Sequence, residues 1–263
     1  MLQRTFLHIS GVGPKRELEI WRRGIGDWRQ FLARGRERLP ARVYNLGRPV
    51  VERSLAALGD RQGIRWLAEV MPRAEHWRFF PTLGRVVYLD IESGGDPGEW
   101  GGITVVGLYD GSRVEQYVAD HNIWLVNDAM KPYDVVVTFG GATFDLPMLK
   151  RHFPNLILPP VHIDLRCPLK RLGLAGGLKR IERTLGIPRP APVRGLTGWD
   201  AVRLWRQHQQ GRPGSLETLL AYNACDVVNL KPLLAHAAAR LKQRLLTRAE
   251  SFGPQSGSGG AVW

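Results

Sequence analysis

Apolar and polar positions change their rhythm at about residue 84. Before that point, apolar residues recur at helical spacing between Arg-rich stretches such as Arg34-Gly-Arg-Glu-Arg38, so residues 1–80 read as a basic, helical region. After Pro81 and Gly84 comes Arg85-Val-Val-Tyr-Leu-Asp-Ile91, a β-branched apolar run that predicts a buried strand. Gly102-Ile-Thr-Val-Val-Gly-Leu-Tyr109 predicts a second strand, and the Asp110-Gly111 pair predicts a tight turn into a third at Arg113 to Val118. Tyr133 to Phe139 and Val161 to Leu165 complete the set. Helical patterns occupy 121–131 and 143–152 between the strands, and 166–172, 177–185, 197–209 and 215–245 after them. Paired strands followed by strands alternating with helices predict a mixed α/β sheet covered by helices, with a small helical extension at the amino end. No fixed-period repeat interrupts this order. Ser251-Phe-Gly-Pro-Gln-Ser-Gly-Ser-Gly-Gly260 is of low complexity and reads as a flexible tail over 251–263.

Composition sharpens the picture. The 263 residues are 44% hydrophobic and 23% charged, enough apolar material for a core. The net charge of +13 points to a polyanionic partner, since neutralising phosphates with Lys and Arg is the main sequence-independent source of affinity for DNA or RNA. A basic surface that serves only solubility is the alternative. Cys167 and Cys225 are too few for a disulfide framework, which fits a reducing compartment. No segment reaches the roughly twenty apolar residues of a membrane span. The first residues lack a signal peptide's apolar core, so a cytoplasmic protein without membrane contact is expected. Composition is silent on oligomeric state.

Three acidic sites stand out. Asp90 and Glu92 are two apart at the end of the first predicted strand, so both leave the same face of the sheet. Two like charges so close repel unless a cation separates them, and hard divalent ions take such oxygen donors. Alone, the pair is a weak signal and reads more readily as solvated strand-end acids. Asp145 falls in the first turn of a helix after Gly140-Gly141, with Thr143 as a candidate cap, and an acid there is favoured by the helix dipole in any case. Tyr222 and Asp226, four apart, share a helix face in the apolar run Leu219 to Leu230. A carboxylate among Ala224, Cys225, Val227 and Val228 needs a cation, a metal or water. An exposed stripe of an amphipathic helix is the alternative.

Taken together, Tyr88-Leu-Asp-Ile-Glu92, Thr138-Phe-Gly-Gly-Ala-Thr-Phe-Asp-Leu-Pro147 and Tyr222-Asn-Ala-Cys-Asp226 resemble the motifs of the DEDDy 3′–5′ exonucleases of the ribonuclease-H-like superfamily. More narrowly, the chain resembles the YprB-type bacterial ribonuclease-H-like proteins over roughly residues 84 to 240, including Gly195-Leu-Thr-Gly-Trp199. Gly140 stands where that family usually carries Asn. Tyr222, with Ala221 where the other subtype has histidine, favours the tyrosine subtype. The resemblance implies a ribonuclease-H-like domain over 84–248 that uses two Mg²⁺ or Mn²⁺ ions, held by Asp90, Glu92, Asp145 and Asp226. It implies that Tyr222 orients the attacking water in hydrolysis of DNA or RNA, at single-stranded ends. A phenol with an ordinary pKa near ~10 suits that positioning role better than that of a base. A nuclease-fold binding module with weak or lost chemistry is the rival reading.

At the amino end, His8-Ile-Ser-Gly-Val-Gly-Pro-Lys-Arg-Glu17 resembles a helix-hairpin-helix element, in which Gly11 and Gly13 amides with Lys15 and Arg16 would hold a phosphate. A glycine turn capping an ordinary helix pair is the alternative. Trp21, Trp28 and Phe31 are expected in the core. His162 beside Asp164 reads as a strand-end pair in the core sheet. Arg166, Lys170, Arg171, Lys179 and Arg180 form a basic cluster that fits either a nucleic-acid groove or a solvated face.

Overall fold

A computed structural model describes residues 1–81, 84–94 and 102–251. The expected tail therefore lies outside the described residues from 252 on, as does Gly95 of the loop after Glu92. The chain divides into two units, Met1–Thr82 with Ala239–Trp263, and Leu83–Ala238.

In the first unit, α1 (Pro14–Arg22), α2 (Trp28–Arg38), α3 (Ala41–Ala56) and α4 (Arg61–Val70) carry their apolar faces inward. Trp28, Phe31, Ile20 and Phe6 are fully enclosed, so the tryptophans expected in the core are there. Their polar edges are satisfied: Trp28 Nε1 donates to the Thr5 carbonyl at 2.6 Å and Trp21 Nε1 to that of Arg4 at 2.8 Å. Asp27 caps α2 by accepting from Gln30 N at 2.8 Å. A buried arginine ties the unit together. Arg78 donates to Glu17 at 2.9 and 3.2 Å and to Glu75 at 2.7 Å, while Thr5 Oγ1 and Phe6 N complete the shell of Glu17. An enclosed ion pair persists only when its remaining donors and acceptors are met in this way.

The second unit is built on β1 (Val86–Ser93), β2 (Ile103–Tyr109), β3 (Val114–Val118), β4 (Val135–Thr138) and β5 (Val161–Asp164), in the order β3-β2-β1-β4-β5. The pairs β1–β2 and β2–β3 are antiparallel, whereas β1–β4 and β4–β5 are parallel. The mixed sheet expected from the strand and helix order is what forms. At the β2–β3 turn, Asp110 Oδ1 accepts from the amides of Ser112 and Arg113 at 2.8 and 2.7 Å. Around the sheet lie α5 (Val126–Met130), α6 (Asp145–His152), α7 (Arg166–Arg171), α8 (Leu178–Leu185), α9 (Gly198–Gln209) and the part of α10 (Ser215–Glu250) up to Ala238, which belongs to this unit. Val87, Leu89 and Ile91 of β1 pack in one core with Leu108, Val136, Leu149, Leu204, Trp205 and Tyr222. The alternate residues of β1, Asp90 and Glu92, are thereby turned to the opposite face of the strand.

Asp90 pairs across the ladder with Gly107 of β2, and Gly107 has a packing role. A Cβ at that position would collide with the side-chain amide of Asn223 on α10. That bare backbone lets Asn223 reach the strand, where its Nδ2 donates to the Asp90 carbonyl at 3.3 Å and its Oδ1 accepts from Gln116 at 3.0 Å. Gly107→Ala is accordingly expected to push α10 off the sheet and lower stability by about 1–3 kcal/mol, measured by urea unfolding, without changing the slope of the transition.

Candidate metal centre

β1 is the central strand, fixed by ladders on both sides, and α10 crosses at its carboxyl end through Asn223. Tyr222, Asn223, Asp226 and Asn229 follow one another at helical spacing and present one side of α10. Among the described residues, Asp90, Glu92 and Asp226 each offer a carboxylate oxygen, and these atoms all lie within 4.8 Å of one another. Asp145, at the start of α6, is outside that group of three, yet its charge acts on both Asp90 and Glu92.

Electrostatics follow from this crowding. Burial, then the charges of Asp226, Glu92 and Asp145, hold the Asp90 carboxyl well above its usual range. Burial and Asp226 push Glu92 up to about 8. Asp145 is raised to about 7 by burial and by Asp164. Burial also raises Asp226, while Lys179 and Arg189 pull it back. Two buried carboxylate oxygens, Glu92 Oε1 and Asp145 Oδ2, have no hydrogen-bond partner. Enclosed, crowded acids with bare oxygens fit a hard divalent cation, which would repay the desolvation and the repulsion together.

The surroundings of Asp145 differ from the sequence expectation. Thr143 does not cap α6; its hydroxyl donates to the Gly140 carbonyl at 3.0 Å, and the residue before the helix is Phe144, without a side-chain cap. The tight turn causes this. Gly140 has φ 80°, and Asp164 of β5 gathers the Gly140 amide at 2.7 Å and the Ala142 amide at 3.2 Å. A Cβ at Gly140 would lie 2.9 Å from the Arg166 guanidinium carbon, so Arg166 occupies the space where a side chain would start. For Asp145, burial outweighs the favourable helix dipole. His162 and Asp164 lie on β5, the edge strand, with His162 against Thr138 Oγ1 at 2.9 Å and Asp164 organising the turn beside Asp145.

Tyr222 is buried, and its hydroxyl accepts from Lys179 Nζ. Lys179 also stands 3.7 Å from Asp226 Oδ2, and Arg189 pairs with Asp226 Oδ1. In the sequence Lys179 falls in a generic basic cluster, Asp164 reads as half of a strand-end pair, and nothing marks Arg189, Glu182 or the packing role of Asn223. Cys225 packs against the core, and its sulfur accepts a long contact from Asn229 Nδ2 at 3.6 Å. At the amino end, Gly13 precedes α1 with Pro14 in its first turn, and Gly11 has φ 78°. Arg16 Nη1 donates to the Gly11 carbonyl at 2.6 Å, while Lys15 is exposed. These four residues belong to the first unit and the four acids to the second.

An acid whose folded pKa is raised binds protons more tightly folded than unfolded, so its stabilising protonation is lost as pH climbs through the folded value. With Glu92 near 8 and Asp145 near 7, the metal-free protein should lose stability between about pH 5 and 8. Thermal melts in chelator should show this decline, and added Mn²⁺ should raise the melting temperature more at pH 8 than at pH 6. Glu92→Gln should stabilise the chelated protein at pH 8 by on the order of 1–3 kcal/mol, while reducing the gain from Mn²⁺.

Comparison with known proteins gives the frame for these acids. No curated protein sequence matches the chain. Among solved structures, it is similar to the family B DNA polymerase from the hyperthermophilic archaeon Pyrobaculum calidifontis (TM-score 0.48, 20% identity, 65% of this chain and 26% of that chain). It is also similar to a nuclease in its apo form (TM-score 0.45, 19% identity, 69% and 88% covered) and to Escherichia coli RNase D, an exoribonuclease involved in structured RNA processing (TM-score 0.39, 17% identity, 72% and 48% covered). The chain thus spans about a quarter of the polymerase's length. The family model described as RNase_H superfamily matches residues 87–238, the stretch that holds the whole sheet from Val87 on and every acid of the centre. With more than half of its length inside that match, the chain belongs to the RNase_H superfamily.

Proposed function

We propose that this chain is a two-metal-ion 3′–5′ exonuclease of the DEDDy type, related to the YprB-type proteins, that hydrolyses phosphodiester bonds at single-stranded ends of DNA or RNA. One observation supports this above the rest. Carboxylates from β1 and α10, more than a hundred residues apart in the chain, meet within 4.8 Å. Asp90, Glu92, Asp145 and Asp226 are the residues that would hold Mg²⁺ or Mn²⁺. When bound, such ions stabilise charge on the phosphoryl oxygens and activate water at neutral pH.

The remaining steps belong to this chain's own groups. Burial and the charges of Asp226, Glu92 and Asp90 hold the Tyr222 phenol above its ordinary pKa. It therefore keeps its proton at neutral pH and orients the attacking water as a hydrogen-bond partner, rather than removing a proton as a base. Arg189 and Lys179 oppose the upward shift that burial imposes on Asp226, and so favour the ionised form that a ligand needs. On this reading residues 84–248 carry the chemistry. Residues 1–80 add a basic arm, in which Gly11, Gly13, Lys15 and Arg16 would contact a phosphate of the strand. The net charge of +13 supports a polyanionic substrate. No helix among the described residues is long and apolar enough to cross a membrane, and the reading places the protein in the cytoplasm.

The test is incubation with end-labelled single- and double-stranded DNA and RNA, with Mn²⁺ or with chelator. Mononucleotides released stepwise from the 3′ end, in Mn²⁺ alone, are expected. Asp90→Ala and Asp226→Ala should each reduce release to background with the fold intact by circular dichroism; digestion at the normal rate would defeat the assignment. Tyr222→Phe should slow turnover by about a hundredfold while substrate binding persists. Binding without cleavage in the wild-type chain would favour the nuclease-fold binding module instead.

A further inference from the structure

The four acids and Tyr222 leave a second set of residues at the same centre without an assignment. Arg189 sits between Pro188 and Pro190, just after α8. Its Nη2 donates to Asp226 Oδ1 and, at 2.7 Å, to Glu182 Oε1; its Nε donates to Glu182 Oε2 at 2.6 Å. Glu182 is held in turn by Asn229 Nδ2 at 3.0 Å, one turn beyond Asp226 on α10. The side chains of Arg189, Glu182 and Asp226 are only 8%, 1% and 6% exposed, so the guanidinium is a fixed fork and no solvated surface charge.

Lys179 lies one turn before Glu182 on the same helix. Its ammonium donates to the Tyr222 hydroxyl, stands 4.3 Å above that ring and 3.7 Å from Asp226 Oδ2. Each oxygen of Asp226 therefore faces a different cation, which fixes the plane of the carboxylate. Lys179 fills a lone pair of the Tyr222 oxygen, so the phenol's own proton is left to point at whatever enters the pocket. A guanidinium needed only to neutralise Glu182 would have no reason to share a prong with Asp226.

We infer that Arg189 and Lys179 are positioning residues of the hydrolytic centre. Arg189, braced by Glu182 and Asn229, sets Asp226 in its ligating orientation. Lys179 sets Tyr222 as a hydrogen-bond donor toward the attacking water or a phosphate oxygen. This inference rests on the exonuclease reading above and adds to it a bracket that acts through the acid and the phenol.

The experiment compares wild type with Lys179→Met, Lys179→Arg, Arg189→Met, Arg189→Lys and Glu182→Gln. Three measurements are made on each: thermal melting, Mn²⁺ binding to the chelated protein by calorimetry, and kcat and KM on an end-labelled single-stranded oligonucleotide. Partners that orient metal ligands typically change affinity or activity by about 10–100-fold when removed. Lys179→Met should lower kcat at least about tenfold with little change in KM, and Lys179→Arg should restore most of it. Arg189→Met and Glu182→Gln should weaken Mn²⁺ binding about tenfold or more, with Arg189→Lys between them and wild type. If Arg189→Met does not fold, Arg189→Lys and Glu182→Gln decide the point. Wild-type kcat in Lys179→Met overturns the inference. So does Mn²⁺ binding that is unchanged or tighter in the folded Arg189 and Glu182 variants; tighter binding would make Arg189 a competitor of the ion. In each case an active wild type leaves the exonuclease reading standing. A wild type that neither binds Mn²⁺ nor cleaves overturns that reading, and the bracket with it.

Discussion

Bringing several carboxylates together at one point is costly, and the central strand and α10 of the second unit hold them there. Half-buried Asp90 and buried Glu92 and Asp226 bring their oxygens within 4.8 Å of one another. Desolvation and mutual repulsion both favour the neutral form, which is why the acids are shifted upward. Such a cluster persists only if the scaffold is rigid enough to forbid its dispersal. The central strand is held by two ladders, and the helix bearing Asp226 is docked on it through Asn223.

Each unit encloses an ion pair, and the two differ in what surrounds them. In the first, Glu17 has each oxygen met, by Thr5, by the Phe6 amide and by Arg78, and Arg78 is shared with Glu75. Nothing in that network is left to bind a ligand. In the second, Arg189 and Lys179 each face one oxygen of Asp226, while Glu92 Oε1 and Asp145 Oδ2 have no hydrogen-bond partner. The first arrangement fits a structural strut, whereas bare oxygens among crowded acids fit a divalent cation.

Small residues set the distances. Gly107 allows Asn223 to close on β1, and Gly140, in the left-handed region, lets the turn before Asp145 pass beneath Arg166. Asn also tolerates that backbone conformation, so glycine at 140 keeps the turn while ceding side-chain volume to Arg166. Asp164 then does what a cap on Asp145's own helix does not, gathering the amides of the turn.

The sequence alone determined the strands, their hairpin and the three acidic motifs, because each depends on short-range rules. Period-two alternation put Asp90 and Glu92 on one face, and a spacing of four put Tyr222 and Asp226 on one side of a helix. It could not reveal which cations meet those acids. Lys179, Glu182 and Arg189 carry no periodic signal of their role, and Arg189 lies in an irregular stretch between prolines. Nor could it show that Thr143 turns back to Gly140 instead of capping α6. Those outcomes depend on where α8 and the stretch after it come to rest against α10, and on how the β4 turn meets β5. Contacts between segments distant in the chain are fixed by packing of the whole sheet and its helices, so only the tertiary structure decides them.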